Sequence, residues 1–168
     1  MSDLQQEQIP NTPNITEQFP IPAEGRVLAI DPGTKRVGIA VCDPFRITVR
    51  PVETIHRTNW KALLVRIKDL VRDFDAVAVV VGLPPEFDGG ESTMSKEARS
   101  IARKLTLSLS IPVFLQDERV SSYEAKRRLW ERGANLAETR KKVDSEAASV
   151  ILEDFLAAIG PTSRSEIE

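Results

Sequence analysis

Residues 26–44 read RVLAIDPGTKRVGIAVCDP. An apolar run, Val27 to Ile30, ends in a single carboxylate, Asp31. Pro32-Gly33-Thr34 follows, and then a second apolar run from Val37 to Cys42. Two such runs split by a Pro-Gly turn spell a β-hairpin, with Gly33 expected at positive φ. A strand end holds its side chain firmly. A firmly held carboxylate is what divalent metals and phosphate chemistry require.

Outward from this hairpin, strands and helices alternate. The first two strands cover about 26–31 and 37–42. A third is expected over 47–55, where Pro51 demands an edge position or a bulge. Apolar residues recurring every three or four positions predict a helix over 59–73, with Trp60 on its core side. The continuous apolar run 76–81 suits a strand buried on both faces. A loop over 82–92, shaped by Gly82, Pro84, Gly89 and Gly90, leads to a helix over 93–110 and a short strand at 113–116. Ser121 to Glu124 has capping-box spacing and predicts a third helix, stopped by Gly133. A fourth helix is expected over 143–159. The class is therefore α/β: a mixed five-stranded sheet flanked by helices. Right-handed crossovers make the first, fourth and fifth strands parallel neighbours. Ligands then gather at the carboxyl ends of those strands.

The chain has 168 residues, enough for one domain. Residues 1–24 contain four prolines among Gln, Asn and Thr, and read as a disordered leader; 25–160 form the domain and 161–168 a flexible tail. No run approaches the roughly 18 apolar residues of a membrane span, and the start lacks the basic-then-apolar pattern of a signal peptide. Cys42 is the only cysteine and sits in an apolar strand, so a reduced core thiol is expected. No zinc-ligand spacing occurs, and the only histidine, His56, is expected at the surface. Net charge is −2, but the leader holds four acids and no base. Residues 119–142 hold eight bases against three acids, a local excess of +5. Such a segment fits a phosphate-rich partner, and equally a solvated helix laced with ion pairs.

Acids collect at the edge where ligands are expected. Asp31 ends the first strand, Asp117 and Glu118 end the fifth, and Asp144 opens the last helix. Singly, each has an ordinary role as turn former, cap or helix-dipole partner. Jointly they would repel one another, and a bound Mg²⁺ or Mn²⁺ offsets that repulsion. Strand alternation leaves open which of Asp117 and Glu118 takes part. Asp117 runs in phase with Val113 and Leu115, and Glu118 with Phe114 and Gln116. Arg119, Lys141 and Lys142 are placed to neutralise phosphates, helped by free amides at the start of the last helix. Thr34 and Lys35 on the turn are further phosphate candidates. Trp130 is read as core packing, with stacking on a base as the alternative.

IDPGTKRVGIAV, VVGLPPEFDGG, QDERVSSYEA and KKVDSEAASVIL occur in this order over about residues 26–158. Together they resemble the YqgF (RuvX-like) family, pre-16S rRNA nucleases similar to Holliday-junction resolvases. The resemblance implies an RNase H-like fold and metal-dependent hydrolysis of nucleic-acid phosphodiesters by a cytoplasmic enzyme acting in 5′-end processing of ribosomal RNA precursors. It assigns the catalytic, metal-holding acids to Asp31, Glu118 and Asp144, and it alone selects Glu118. Two ions are expected, Asp31 bridging them and Glu118 and Asp144 each holding one. The chain departs from the family at Val120-Ser121-Ser122, which keeps the hydroxyls, and at Pro85. It also has Gly82 where resolvases proper carry an acid. The alternatives are branched-DNA cleavage, an actin-like or sugar-kinase-like nucleotide binder, and a non-catalytic nucleic-acid module. The nucleotide binder shares the acid-x-Gly-Thr hairpin and has Asp88-Gly89-Gly90 for a second loop, but needs two domains.

Overall fold

The computed structural model describes residues 21–84, 92–117, 131 and 136–160, with side chains in the last stretch described from 143 onward. Eight elements follow in order: β1 (Arg26–Pro32), β2 (Arg36–Cys42), β3 (Val49–His56), α1 (Trp60–Asp73), β4 (Ala76–Leu83), α2 (Thr93–Ser108), β5 (Val113–Asp117) and α3 (Leu136–Ile159). The sheet order is β3-β2-β1-β4-β5. β1 pairs antiparallel with β2, and β2 with β3. β4 lies parallel to β1 on one side and to β5 on the other. This is the mixed five-stranded sheet expected from the order of elements. β3 is an edge strand and carries a register shift where Ile39 pairs Glu53 and Ala40 pairs Pro51, the edge position and irregularity that a proline demands.

Strand alternation sorts the core into two clusters. Leu28, Ile30, Val37, Ile39, Val79, Val81 and Val113 point to one face, where Leu63, Ile67 and Leu70 of α1 and Ala98, Ile101 and Leu105 of α2 cover them. Val27, Ala29, Ala40, Cys42, Ala78, Val80 and Phe114 point to the other, against Ala148, Ile151, Leu152 and Phe155 of α3. The second face is built from small strand residues, so α3 lies close to the sheet. The Phe114 and Phe155 rings stack at 5.6 Å. Each large apolar side chain fully buried in this way contributes about 1.5–3 kcal/mol.

The helix starts are chemically fixed. Asn59 caps α1 by accepting from the Ala62 amide at 2.9 Å, and Ser92 caps α2 by accepting from the Ser95 amide at 3.1 Å. α3 differs from expectation: it begins at Leu136, not near Val143. Residues 136–143 contain no Gly or Pro, and Ala137, Glu138, Arg140, Lys141 and Lys142 are good helix formers. The Gly133-Ala134-Asn135 punctuation therefore precedes the helix directly. Asp144 consequently lies about two turns inside it, and the free amides expected beside Asp144 are absent.

Cys42 is buried, and its Sγ accepts from the Val27 amide at 3.2 Å. Burial pushes its thiol above the ordinary value, as befits an inert core residue. Trp60 packs partly against the first cluster, and Lys104 Nζ stands 4.9 Å over its ring. No described helix is long and apolar enough to cross a membrane. The leader up to residue 20, the loop 85–91, the expected capping box at Ser121, Trp130 and the tail 161–168 lie outside the described residues.

Candidate active site

Asp31 stands at the carboxyl end of β1, in phase with Val27 and Ala29, and so faces α3. It is half-buried. Directly across the ladder from it is Gly38 of β2, at the roughly 5 Å separation of antiparallel partners. Gly38 is the point where sheet and helix touch. A Cβ built there would lie 1.8 Å from the Asp144 carbonyl oxygen and 2.9 Å from the Ser145 amide nitrogen. The absent side chain lets α3 rest its backbone on β2. Asp31 and Asp144, distant in the chain, thereby share one face of the sheet and one cross-strand neighbour.

Asp144 is the more constrained acid. Its side chain is 21% exposed, and Arg36 Nε stands 3.1 Å from its Oδ2. That approach is an ion pair without hydrogen-bond alignment: the buried Oδ2 accepts no hydrogen bond from the described residues. Burial pushes the Asp144 carboxyl above its ordinary value, and the positive charges of Arg36 and His56 pull in the opposite direction. His56 is exposed, as expected, but it stands opposite Arg36 at the end of β3 and its charge reaches Asp144. A desolvated carboxylate oxygen with unused acceptor capacity, facing the same way as a second carboxylate, suits a hard divalent cation. Among the described residues no three Asp, Glu, His or Cys side chains gather closely enough to hold a metal by themselves.

The structure also bears on the choice at the end of β5. Val113 packs on the α1–α2 side and Phe114 on the α3 side. Asp117, in phase with Val113, is directed away from the Asp31 face and is exposed. The next position in the alternation, Glu118, lies outside the described residues, as does Arg119. Lys141 and Lys142 lie on α3, three and two positions before Asp144, with their side chains outside the described set. Thr34 and Lys35 are exposed on the hairpin turn. Gly82 runs in phase with Ala78 and Val80 and so faces α3 with no side chain.

The turn itself corrects one expectation. Gly33 does not adopt positive φ; among the described glycines only Gly25 and Gly160 do. Its requirement is steric, because a Cβ would lie 2.2 Å from the Arg36 carbonyl oxygen. Arg57 clamps this turn. Its amide donates to Lys35 O at 2.9 Å, its guanidinium to Gly33 O at 3.0 Å and to Glu97 Oε1 at 2.6 Å. Beyond the clamp, on the α1–α2 side, Thr34, Thr58, Asn59, Trp60 and Thr93 line an open cleft of about 390 Å³.

Two residues of this site escaped sequence reasoning. Arg36 reads as one more solvent-exposed base in TKRVG, and Gly38 as filler in an apolar strand. The available signal was the glycine inside a strand, which marks a close backbone approach.

Solved structures share the architecture. RuvC from T. thermophilus in complex with a Holliday junction aligns with a TM-score of 0.51 at 17% identity, over 81% of this chain and 96% of that one. Fowlpox virus resolvase with Holliday-junction DNA gives 0.50 at 12%, over 80% and 98%. Both place this chain in the RNase H-like fold. Sequence relatives are nearer. A protein of Anaeromyxobacter dehalogenans named "Putative pre-16S rRNA nuclease" is 42% identical over 136 residues, covering 81% of this chain and 99% of that one. One of the same name from Maridesulfovibrio salexigens is 36% identical over 132 residues, covering 79% and 98%. The family model described as RuvX, Holliday junction resolvase, matches residues 25–158, the whole stretch that carries the hairpin, the sheet and both placed acids, and the chain belongs to that family.

Proposed function

We propose that this protein is a metal-dependent nuclease that hydrolyses phosphodiesters of precursor ribosomal RNA in the cytoplasm, at the 5′ end of the mature sequence. The observation that carries the reading is the seating of Asp144 on Gly38, which brings a desolvated carboxylate to the face of the sheet where Asp31 ends β1. Family membership supplies the reaction class: its relatives are named for cleavage of pre-16S rRNA.

In this reading Asp31, Glu118 and Asp144 are the residues that would hold Mg²⁺ or Mn²⁺. Bound there, such ions supply Lewis acidity toward a phosphoryl oxygen and lower the pKa of attacking water. The chain's own contribution is placement. The Arg57 clamp fixes the turn after Asp31, and the helix backbone against Gly38 fixes Asp144. Thr34 and Lys35 on the turn, with Arg119, Lys141 and Lys142, hold the phosphates flanking the scissile bond. The family model's description favours branched DNA as a second substrate.

A cleavage assay with structured precursor RNA and with four-way DNA, in Mg²⁺, Mn²⁺ or EDTA, tests this. The wild type should cut RNA only with metal. Asp31→Asn should lose more than about 100-fold of that rate, beyond what outer-shell changes alone remove, while binding RNA within about threefold of wild type. Wild-type cutting by Asp31→Asn overturns the proposal, and selective cutting of four-way DNA transfers it to the second substrate.

A further inference from the structure

Arg36 occupies a position that the nuclease reading leaves unused. It lies two residues before Gly38 on β2 and pairs across the ladder with His56. Its phase is that of Gly38, Ala40 and Cys42, so it faces α3 on the same side as Asp31. Its Nε reaches Asp144 Oδ2 at 3.1 Å, while the rest of the side chain stays substantially in solvent, 41% exposed. The oxygen it approaches is the one that is buried and accepts no hydrogen bond from the described residues. Arg36 therefore supplies charge to that oxygen without using it as a hydrogen-bond acceptor.

We propose that Arg36 is the resident counter-cation of Asp144, holding Oδ2 in the metal-free protein and being displaced from it when a divalent cation binds. The inference rests on the reading of Asp144 as a metal ligand. A divalent cation on Oδ2 and a guanidinium held against the same oxygen would repel each other strongly, the more so because that oxygen is shielded from water. The guanidinium must then leave, and its partial exposure gives it room to do so. Once released it is a planar five-donor group at the rim of the site, which suits a phosphodiester oxygen. Arg36 thus occupies the Asp144 carboxylate before metal arrives, and afterwards turns toward the nucleic-acid backbone. It is a positioning residue for Asp144 in the first state and a phosphate contact in the second.

Calorimetric titration of Mn²⁺ into the nucleic-acid-free protein separates this from a merely structural role. Wild type, Arg36→Gln, Arg36→Lys, Asp144→Asn and the Arg36→Gln/Asp144→Asn double variant are compared, with melting in EDTA to verify folding. Arg36→Gln should bind Mn²⁺ about five- to tenfold more tightly than wild type, and Arg36→Lys should fall between them. In the Asp144→Asn background Arg36→Gln should bring no gain. Cleavage by Arg36→Gln at saturating Mn²⁺ should nevertheless fall, because the phosphate contact is gone. Unchanged or weaker Mn²⁺ binding by a folded Arg36→Gln, alongside wild-type binding that Asp144→Asn abolishes, overturns the inference and leaves the metal reading standing. Wild-type Mn²⁺ binding indifferent to Asp144→Asn overturns the metal reading and this inference with it.

Discussion

Asp43 and Asp144 are the same residue under opposite conditions. Asp144 is desolvated, its Oδ2 accepts no hydrogen bond from the described residues, and its carboxyl is pushed up. Asp43 directly follows β2, in a turn that wraps around its carboxylate. Its Oδ1 accepts from the Ile47 and Thr48 amides at 2.7 and 2.6 Å and from the Thr48 hydroxyl at 3.2 Å, and its Oδ2 accepts from the Phe45 amide at 3.1 Å. Burial raises its pKa, but these four hydrogen bonds outweigh it, and the group lies below the ordinary aspartate value of 3.8. A depressed folded pKa means stabilisation that is complete above the unfolded value and is lost as pH falls through the folded one. Asp43→Ala should lower Tm at pH 7 by roughly 2–4 °C, the equivalent of about 1 kcal/mol in a chain of this size. The gap from wild type should close as pH falls below the ordinary aspartate value of 3.8 and through the lower folded one. Melting curves from pH 7 to pH 2.5 check this, and a constant gap would contradict it. None of these contacts was legible in the residue names: Asp43 and Asp144 differ only in what folds around them.

At the scale of elements, the strands were readable because their signals are local. Apolar runs, Pro32-Gly33 and the position of Pro51 each depend on neighbours a few residues away. The start of α3 was not readable in the same way. Its basic first turns resemble a linker, and only the path of the backbone shows that the helix continues through them to Asp144. The contact between α3 and β2 depends on a missing side chain. Gly38→Ala adds one methyl group and removes no chemistry, yet that methyl would meet the Asp144 backbone. Overpacking of this kind costs about 1–3 kcal/mol. A shift of α3 by about 1 Å misplaces Asp144, an error able to cost about 100-fold in rate. The expected result is a variant that is folded by circular dichroism at 20–25 °C, melts several degrees lower, and has lost most of its cleavage. Wild-type rate and melting would show that the helix yields at no cost.

At the scale of the whole molecule, the domain extends to residues before β1. Ile21 packs against the cluster under α3, and the Arg46 guanidinium donates to the carbonyls of Pro22 and Gly25, with Arg46 itself at φ 60°. A chain starting at Ile21 should therefore be more stable than one starting at Gly25, by about 1–2 kcal/mol or roughly 3–6 °C in Tm. Differential scanning calorimetry of the two truncations decides it, and equal Tm values would show that these contacts contribute nothing. The mixed five-stranded sheet, the parallel β1, β4 and β5 neighbours and the hairpin acid were legible in the sequence alone, because period-2 patterning, turn chemistry and crossover handedness act within short stretches or follow general rules of chain path, whereas the full strand order came from the structure. The pairing of Arg36 with Asp144, the steric role of Gly33 and the seating of α3 on Gly38 were decided only in three dimensions. Each depends on the distance between atoms that packing brings together from remote parts of the chain, and no local pattern encodes that distance.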